Sequence, residues 1–300
     1  MPHDHHHHHH IPADGSDRNL WAAIGVNLFL SVAQVVAGLF SGSLALIADA
    51  VHNLSDAVSL IVALVARRIA RRPADAAMTF GYGRAEVVAA LINYTTLIVL
   101  SVWLAAEGVM RLITPQPVEG WTVVIVAGIA LVVDAVTALL TLRMAKDSVN
   151  IRAAFLHNIA DALGSVAVIV AGTLILLYDW RLIDPIVTLG ISAYILWHAA
   201  SEIMPVVRIL MMGSPDAPHA DEVLDAMRGL PGVRDVHHLH IWRMQEHEVA
   251  LEAHVVSDQP GDGLRQTLKT LLSERFHIHH SVIELEPVEA ACEGVPVIGH

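Results

Sequence analysis

Two phrases carry the residue types that could do chemistry: HNLSDA at 52–57 and HNIADA at 157–162, each inside a long apolar run. In both, a histidine precedes an aspartate by four residues, His52 with Asp56 and His157 with Asp161. That spacing stacks two side chains on one face of a helix. An ionised carboxylate at the centre of a bilayer costs about 2.5–3.5 kcal/mol on insertion scales, so such residues face a partner or a pathway. Two such helices placed face to face would supply two imidazole nitrogens and two carboxylate oxygens around one point. This is a tetrahedral set suited to Zn²⁺. A single intramembrane His or Asp would read as an interhelical hydrogen bond, but two copies of the pair on separate runs weaken that reading. A closed structural zinc site is the other alternative, and a donor set that is half carboxylate with no thiolate argues for exchange instead.

The neighbours share the helical period. Ala45, Asp49, His52, Asp56 and Ser59 form one small or polar stripe, and Ala153, His157, Ala160, Asp161 and Gly164 form another. Small residues let helices approach closely enough to share a cation. Asp49, three residues before His52, reads either as a partner that orients an imidazole or as a charge on an access path. Asp134, in a different run, reads as lining a water-filled vestibule or as an interhelical hydrogen-bond partner.

The elements that must position these residues are apolar segments of spanning length, about 20 residues each. Six can be marked: Leu20–Phe40, Ser43–Ala66, Val87–Leu112, Trp121–Leu142, Ile151–Leu177 and Ile183–Val207. Composition agrees, since 54% of the 300 residues are hydrophobic and only 16% charged, which excludes an ordinary soluble domain. Arg67, Arg68, Arg71, Arg72 and Arg84 fall between the second and third segments, and Arg143, Lys146 and Arg152 between the fourth and fifth. The opposite links carry only Arg111 and Arg181 near their edges. The positive-inside rule then puts both termini in the cytoplasm of a multi-pass inner (plasma) membrane protein.

After Gly213 the apolar character falls. The remaining chain reads helix (His219–Leu230), strand (Val233–Met244), strand (Val249–Ser257), helix (Gly263–Phe276), strand (Ser281–Glu286). That order predicts a small ferredoxin-like α+β domain. The fold class is thus a membrane α-helical bundle of six transmembrane helices followed by a cytoplasmic ferredoxin-like domain. The domains divide as a His-rich disordered tail at 1–18, a membrane domain at 19–212, a metal-binding and dimerisation domain at 213–290 and a tail at 291–300. The His run in MPHDHHHHHH is either an expression tag or a native His-rich tail.

The net charge of −12 is uneven. From 213 to 300, 6 Lys+Arg stand against 15 Asp+Glu, a net of −9. An acidic domain is a poor partner for nucleic acid and a plausible collector of cations. Neighbouring strands can bring His237 and His254 together, with His279 and Glu286 on the last strand. Strand parity separates His240 from His237. The single cysteine, Cys292, excludes an intramolecular disulfide and any CxxC metal knuckle. Beyond the last strand it could add a thiolate, although a lone free cysteine is usually incidental.

These motifs resemble the cation diffusion facilitator family of zinc–proton antiporters. The resemblance rests on GSLALIADAVHNLSD at 42–56, TFGYGRAEVVAAL at 79–91, RAAFLHNIADALGSV at 152–166 and DVHHLHIW at 235–242, in that order along the chain. It implies six spans, a cytoplasmic ferredoxin-like domain and a homodimer. It places the family's transport site on His52, Asp56, His157 and Asp161, in the form of the zinc-preferring branch, and a cytoplasmic metal site on His237, His254, His279 and Glu286. The link between the second and third segments, DAAMTFGYGRAE, has Met78, Tyr82 and Gly83 where many members have histidines, so a metal site there is expected to be absent or very weak.

The expected function is secondary active export of Zn²⁺ from the cytoplasm in exchange for protons, by alternating access at the tetrahedral intramembrane site. The chain is expected not to be an enzyme: there is no HExxH and no nucleophile elbow, and four ligands leave no open position on zinc. An intramembrane zinc hydrolase and a membrane-anchored metal sensor are the rival classes. The implied partners are divalent metal ions, protons, lipid and a second copy of the chain.

Overall fold

The computed structural model describes residues 16–144, 149–245, 248–292 and 294–299, with side chains described from residue 25 onward except at 140–158. Most of the His-rich tail therefore lies outside the described residues.

Six long helices come first along the chain: α1 (Ser16–Ser41), α2 (Leu44–Ala70), α3 (Ala85–Ile113), α4 (Gly120–Met144), α5 (Val149–Tyr178) and α6 (Ile183–Leu210). Five of them, α2 to α6, contain stretches long and apolar enough to cross a membrane, and α1 has a shorter apolar stretch at Gly25–Ser41. A bilayer leaves no water for backbone N–H and C=O groups, so apolar runs of this length close their hydrogen bonds internally as helices. Large side chains such as Phe29, Phe40, Ile125 and Trp197 point outward, as a lipid-facing surface requires.

The described residues divide into two compact units, one up to Val62 with Asn93–Ala200, the other Ala63–Ile92 with the residues from Ser201 on. In the first unit small residues set the closest helix approaches. A Cβ on Gly172 of α5 would sit 2.9–3.1 Å from Val124 and Val123 of α4, so only glycine fits there. Buried alanines and Leu44, Leu46 and Leu104 fill the spaces between helices. The start of α2 is held by α6: Asp184 accepts hydrogen bonds from the Ser43 hydroxyl at 2.5 Å and from the Leu44 and Ala45 N–H groups at 2.8 and 3.3 Å. A carboxylate at a helix N-terminus satisfies orphan donors and complements the helix dipole.

The second unit contains α7 (Ala220–Arg228), β1 (Val233–Gln245), β2 (Glu248–Ser257), α8 (Asp262–Phe276) and β3 (His280–Pro287). The sheet order is β1-β2-β3, with β1 and β2 antiparallel and β2 and β3 parallel through the α8 crossover. Its core joins Val223, Leu224 and Met227 of α7 and Leu268 and Leu272 of α8 to one sheet face, which carries Val236, Leu251, Ala253, Val255 and Ile283. The other face carries His237, His254 and Glu286.

An irregularity in β1 between His237 and His240 changes which residues share a face. His238 there takes a left-handed backbone with φ 49°. Val236 and then Leu239 and Ile241 all reach the core, so the side-chain alternation resets across the bulge. His240, opposite Glu252, returns to the face of His237, opposite His254. The expectation from strand parity is corrected, because parity holds only along an unbroken ladder.

The linker turn at 75–82 is closed by Asp75, whose carboxylate accepts from the Ala77 and Met78 N–H groups and the Tyr82 hydroxyl, at 2.8, 2.9 and 2.7 Å. The Tyr82 hydrogen bond, then those two backbone donors, hold the Asp75 pKa below its usual value. Asp75 thus serves the turn, and among the described residues it joins no group able to hold a metal.

Candidate metal centres

Helix α2 brings His52 and Asp56 one turn apart, and α5 brings Asp161 against them. His52 Nε2 lies 3.1 Å from Asp161 Oδ1 and 3.9 Å from Asp56 Oδ2. One ligand atom from each residue lies within 4.8 Å of the others, which suits a shared cation. His52 and Asp161 are buried, each 8% exposed, while Asp56 is half-buried. His157 lies in α5, four residues before Asp161, and its side chain is outside those described.

Around these residues runs a polar network that sequence reasoning saw only in part. Asp49 Oδ2 accepts from Gln34 Nε2 of α1 at 2.9 Å and from Ser165 Oγ of α5 at 3.3 Å. Ser165 Oγ also lies 3.2 Å from Asp134 Oδ2 of α4. Gln34 and Ser165 are fully buried. A Cβ on Gly164 would come within 3.0 Å of Asp49 Oδ1, so the glycine leaves room for the carboxylate. Asp134 therefore makes an interhelical contact, one of its two expected roles. Gln34 was missed, though a lone amide within the apolar SVAQVVAGLF was a signal. Tyr194 of α6 stands edge-on to His52, with ring centroids 6.3 Å apart, and stacks on His198 one turn further along.

A second cluster lies on the sheet face turned away from α7 and α8. His254 Nδ1 is 2.6 Å from Glu286 Oε1, and His237 Nε2 is 3.4 Å from Glu286 Oε2. The β1–β2 register sets His237 opposite His254, and the parallel register sets Val256 opposite Glu286. On one face of a sheet such positions are near neighbours. Burial opposes charge on Glu286, but the hydrogen bond to His254, the Cys292 N–H and the nearby His237 outweigh it and hold the pKa below 4.5. Asp235 Oδ2 lies 3.9 Å from His237 Nδ1, while its Oδ1 accepts from Arg228 Nη2 at 2.7 Å.

The structure does not bring His279 to this cluster, and that expectation is corrected. His279 is exposed and precedes β3. It lies seven residues from Glu286, so an extended chain separates the two by roughly 23 Å. Cys292 arrives instead: one ligand atom from each of His237, His254, Glu286 and Cys292 lies within 4.8 Å of the others. Its N–H donates to Glu286 Oε2 at 3.2 Å and its Sγ lies 3.6 Å from Oε1. Zinc–ligand bonds of about 2.1 Å set tetrahedral ligands roughly 3.4 Å apart, so small side-chain adjustments would bring these atoms onto one ion. The residues fit the metal.

A bundle of apolar helices with a His–Asp cluster between two of them, followed by a small mixed-sheet domain with its own ligands, defines a metal-handling membrane protein. The chain belongs to the cation efflux family, also called the cation diffusion facilitators. The cation efflux transmembrane domain matches residues 20–211, and the cytoplasmic domain of cation efflux proteins matches residues 215–288. The chain is 37% identical to the zinc transporter ZitB of Pectobacterium atrosepticum, covering 95% of this chain and 89% of that one. It is 33% identical to the metal cation efflux system protein CzcD of Cupriavidus metallidurans, covering 99% and 92%. A cadmium, cobalt and zinc/H⁺–K⁺ antiporter of Bacillus subtilis is 34% identical, over 76% of this chain and 74% of that one. It is a multi-pass membrane protein of a family of transporters.

Proposed function

We propose that this protein exports Zn²⁺ from the cytoplasm in exchange for protons, using His52, Asp56, His157 and Asp161 as the transport site. The observation that carries the reading is the convergence of His52, Asp56 and Asp161 on one point between α2 and α5. Relatives named as zinc transporters and as a zinc/H⁺–K⁺ antiporter support the substrate and the exchange.

The ligands explain how two fluxes share one place. Metal binds only when imidazole and carboxylate are deprotonated, so loading from the cytoplasm displaces protons. Two carboxylates neutralise the divalent charge, which removes the penalty of an unpaired charge in a low-dielectric interior. Rocking of one part of the bundle against another then opens the site to the other side. There protons compete for the histidines, whose ordinary pKa near 6.5 lies close to ambient pH. A protonated imidazole cannot ligate, so zinc leaves and the protons return.

The arginines of the α2–α3 and α4–α5 links support a cytoplasmic location for both termini. The protein works as a homodimer, with its C-terminal domain as the dimerisation domain. Zinc held by His237, His254 and Glu286 of that domain would stabilise a transport-competent pose. The test is radiozinc uptake into sealed vesicles holding the purified protein, under an imposed pH step, comparing the wild type with Asp161→Ala. Uptake that follows the proton gradient and vanishes in the variant supports the reading. Zinc that binds the vesicles but never crosses would refute it and favour a metal sensor.

A further inference from the structure

We propose that Cys292 is the fourth ligand of the cytoplasmic metal site and that metal binding there latches the C-terminal segment onto β1. This rests on the reading that His237, His254 and Glu286 bind zinc, and adds a ligand, a metal preference and a consequence for the chain.

Within the cluster that converges among the described residues, the three strands supply three donors: an imidazole from β1, an imidazole from β2 and a carboxylate from β3. A structural zinc site needs four. After β3 the chain reverses through a 3-10 turn at Val288–Ala290, which carries Cys292 back over the end of the sheet. The thiol comes to rest on the carboxylate that both histidines face, held by its own N–H on Glu286 Oε2 at 3.2 Å.

A lone cysteine on an exposed segment is ordinarily incidental, and two observations set this one apart. The first is His237, only 3% exposed, whose Nε2 is buried and makes no hydrogen bond among the described residues. A buried polar atom left in that state is costly unless something binds it. That nitrogen lies 3.4 Å from Glu286 Oε2, the same oxygen that accepts from the Cys292 N–H. The second is the course of the chain after Cys292. The Pro296 and Val297 carbonyls accept from the His238 and Leu239 N–H groups at 3.3 and 3.0 Å, and the Gly299 N–H donates to the Leu239 carbonyl at 3.4 Å. These bonds fall on the bulge of β1, directly after His237. The segment is thus pinned at one end by the metal cluster and at the other by the backbone beside it.

An ion bonded to β1, β2, β3 and Cys292 would close that loop. Binding forms a metal–sulfur bond and releases the thiol proton to water. The thiolate biases the site toward Zn²⁺ and Cd²⁺ and away from Mn²⁺ or Mg²⁺, which prefer oxygen.

Because Cys292 is the single cysteine of the chain, thiol chemistry reports on it alone. In the reduced full-length protein, saturating zinc should slow maleimide labelling of Cys292 by at least about tenfold, since a metal-bound thiolate is withheld from the reagent. His237→Ala or Glu286→Gln should abolish that protection. Cobalt in place of zinc should produce a thiolate-to-metal charge-transfer band that Cys292→Ser removes. Neither the N-terminal His run nor the intramembrane cluster contains a thiol, so neither can produce it. Hydrogen exchange read by mass spectrometry completes the test: zinc should slow the amides of residues 294–299 as well as those of β1. Slowing in β1 and β3 with no thiol protection and no charge-transfer band would overturn the role of Cys292 while leaving the three-residue site standing. No zinc effect on any strand would overturn that site and this inference with it. The labelling and the band are both read on the wild type, so neither depends on the serine variant folding.

Discussion

Replacing Asp161 with asparagine is the most direct perturbation of the transport site, because it keeps the shape of the side chain and removes only its charge. Asp161 is 8% exposed and its Oδ1 lies 3.1 Å from His52 Nε2, so the variant carboxamide would sit in the same buried place. With Asp56 and Asp161 both ionised, a divalent ion among neutral imidazoles leaves no net charge. With Asp161→Asn one positive charge is uncompensated, at a cost of about 2.5–3.5 kcal/mol for an intramembrane charge. At 1.36 kcal/mol per factor of ten, that weakens zinc binding roughly 60- to 400-fold. Loss of one charge-assisted contact alone would give about 1.5–3 kcal/mol, so the charge imbalance sets the larger bound. The assay is zinc flux into vesicles carrying an internal zinc-sensitive dye, at zinc concentrations well below saturation and under a fixed pH step. Flux should fall by that factor and recover in part as zinc is raised. A variant with wild-type flux at low zinc would show that Asp161 neither ligates the ion nor balances its charge.

Removing the carboxylate that caps α2, in Asp184→Ala, strands three donors at a buried helix start and should lower stability in detergent by about 2 kcal/mol or more. Thermal unfolding of the purified protein measures it. A valine at Gly172 forces methyl groups into Val123 and Val124 of α4, and overpacking of this kind costs about 1–3 kcal/mol, seen as a lower folded yield or melting temperature. For the metal-free cytoplasmic domain, the Glu286 carboxylate has a folded pKa below its unfolded value near 4.5. Its contribution is fully present above that unfolded value and is lost as pH falls through the folded pKa. Acid titration of the unfolding midpoint should therefore show a loss below about pH 4.5 that Glu286→Gln flattens. A wild-type acid limb in the variant would assign the loss to other carboxylates.

The periodicity of the apolar runs determined the helices, because a span of about 20 residues in lipid has no alternative way to pair its backbone. The four-residue spacing of His52 and Asp56 likewise determined that these side chains share a face, a local property of any helix. What the periodicity could not supply was the set of contacts made across helices. That Gln34 reaches Asp49, that Ser165 joins Asp49 to Asp134, and that Asp184 caps a helix that begins 140 residues earlier all depend on which helix packs on which. The cytoplasmic cluster shows the limit most plainly. Strand parity separated His240 from His237 and the family resemblance admitted His279, while the molecule does the reverse. A single left-handed residue at His238 resets the alternation of β1, and the turn after β3 returns Cys292 to a carboxylate that His279, at the far end of the strand, cannot approach. Residue type and spacing identify groups able to bind a metal. Bulges, turns and strand register decide which of them meet, because those arise from pairing between distant segments.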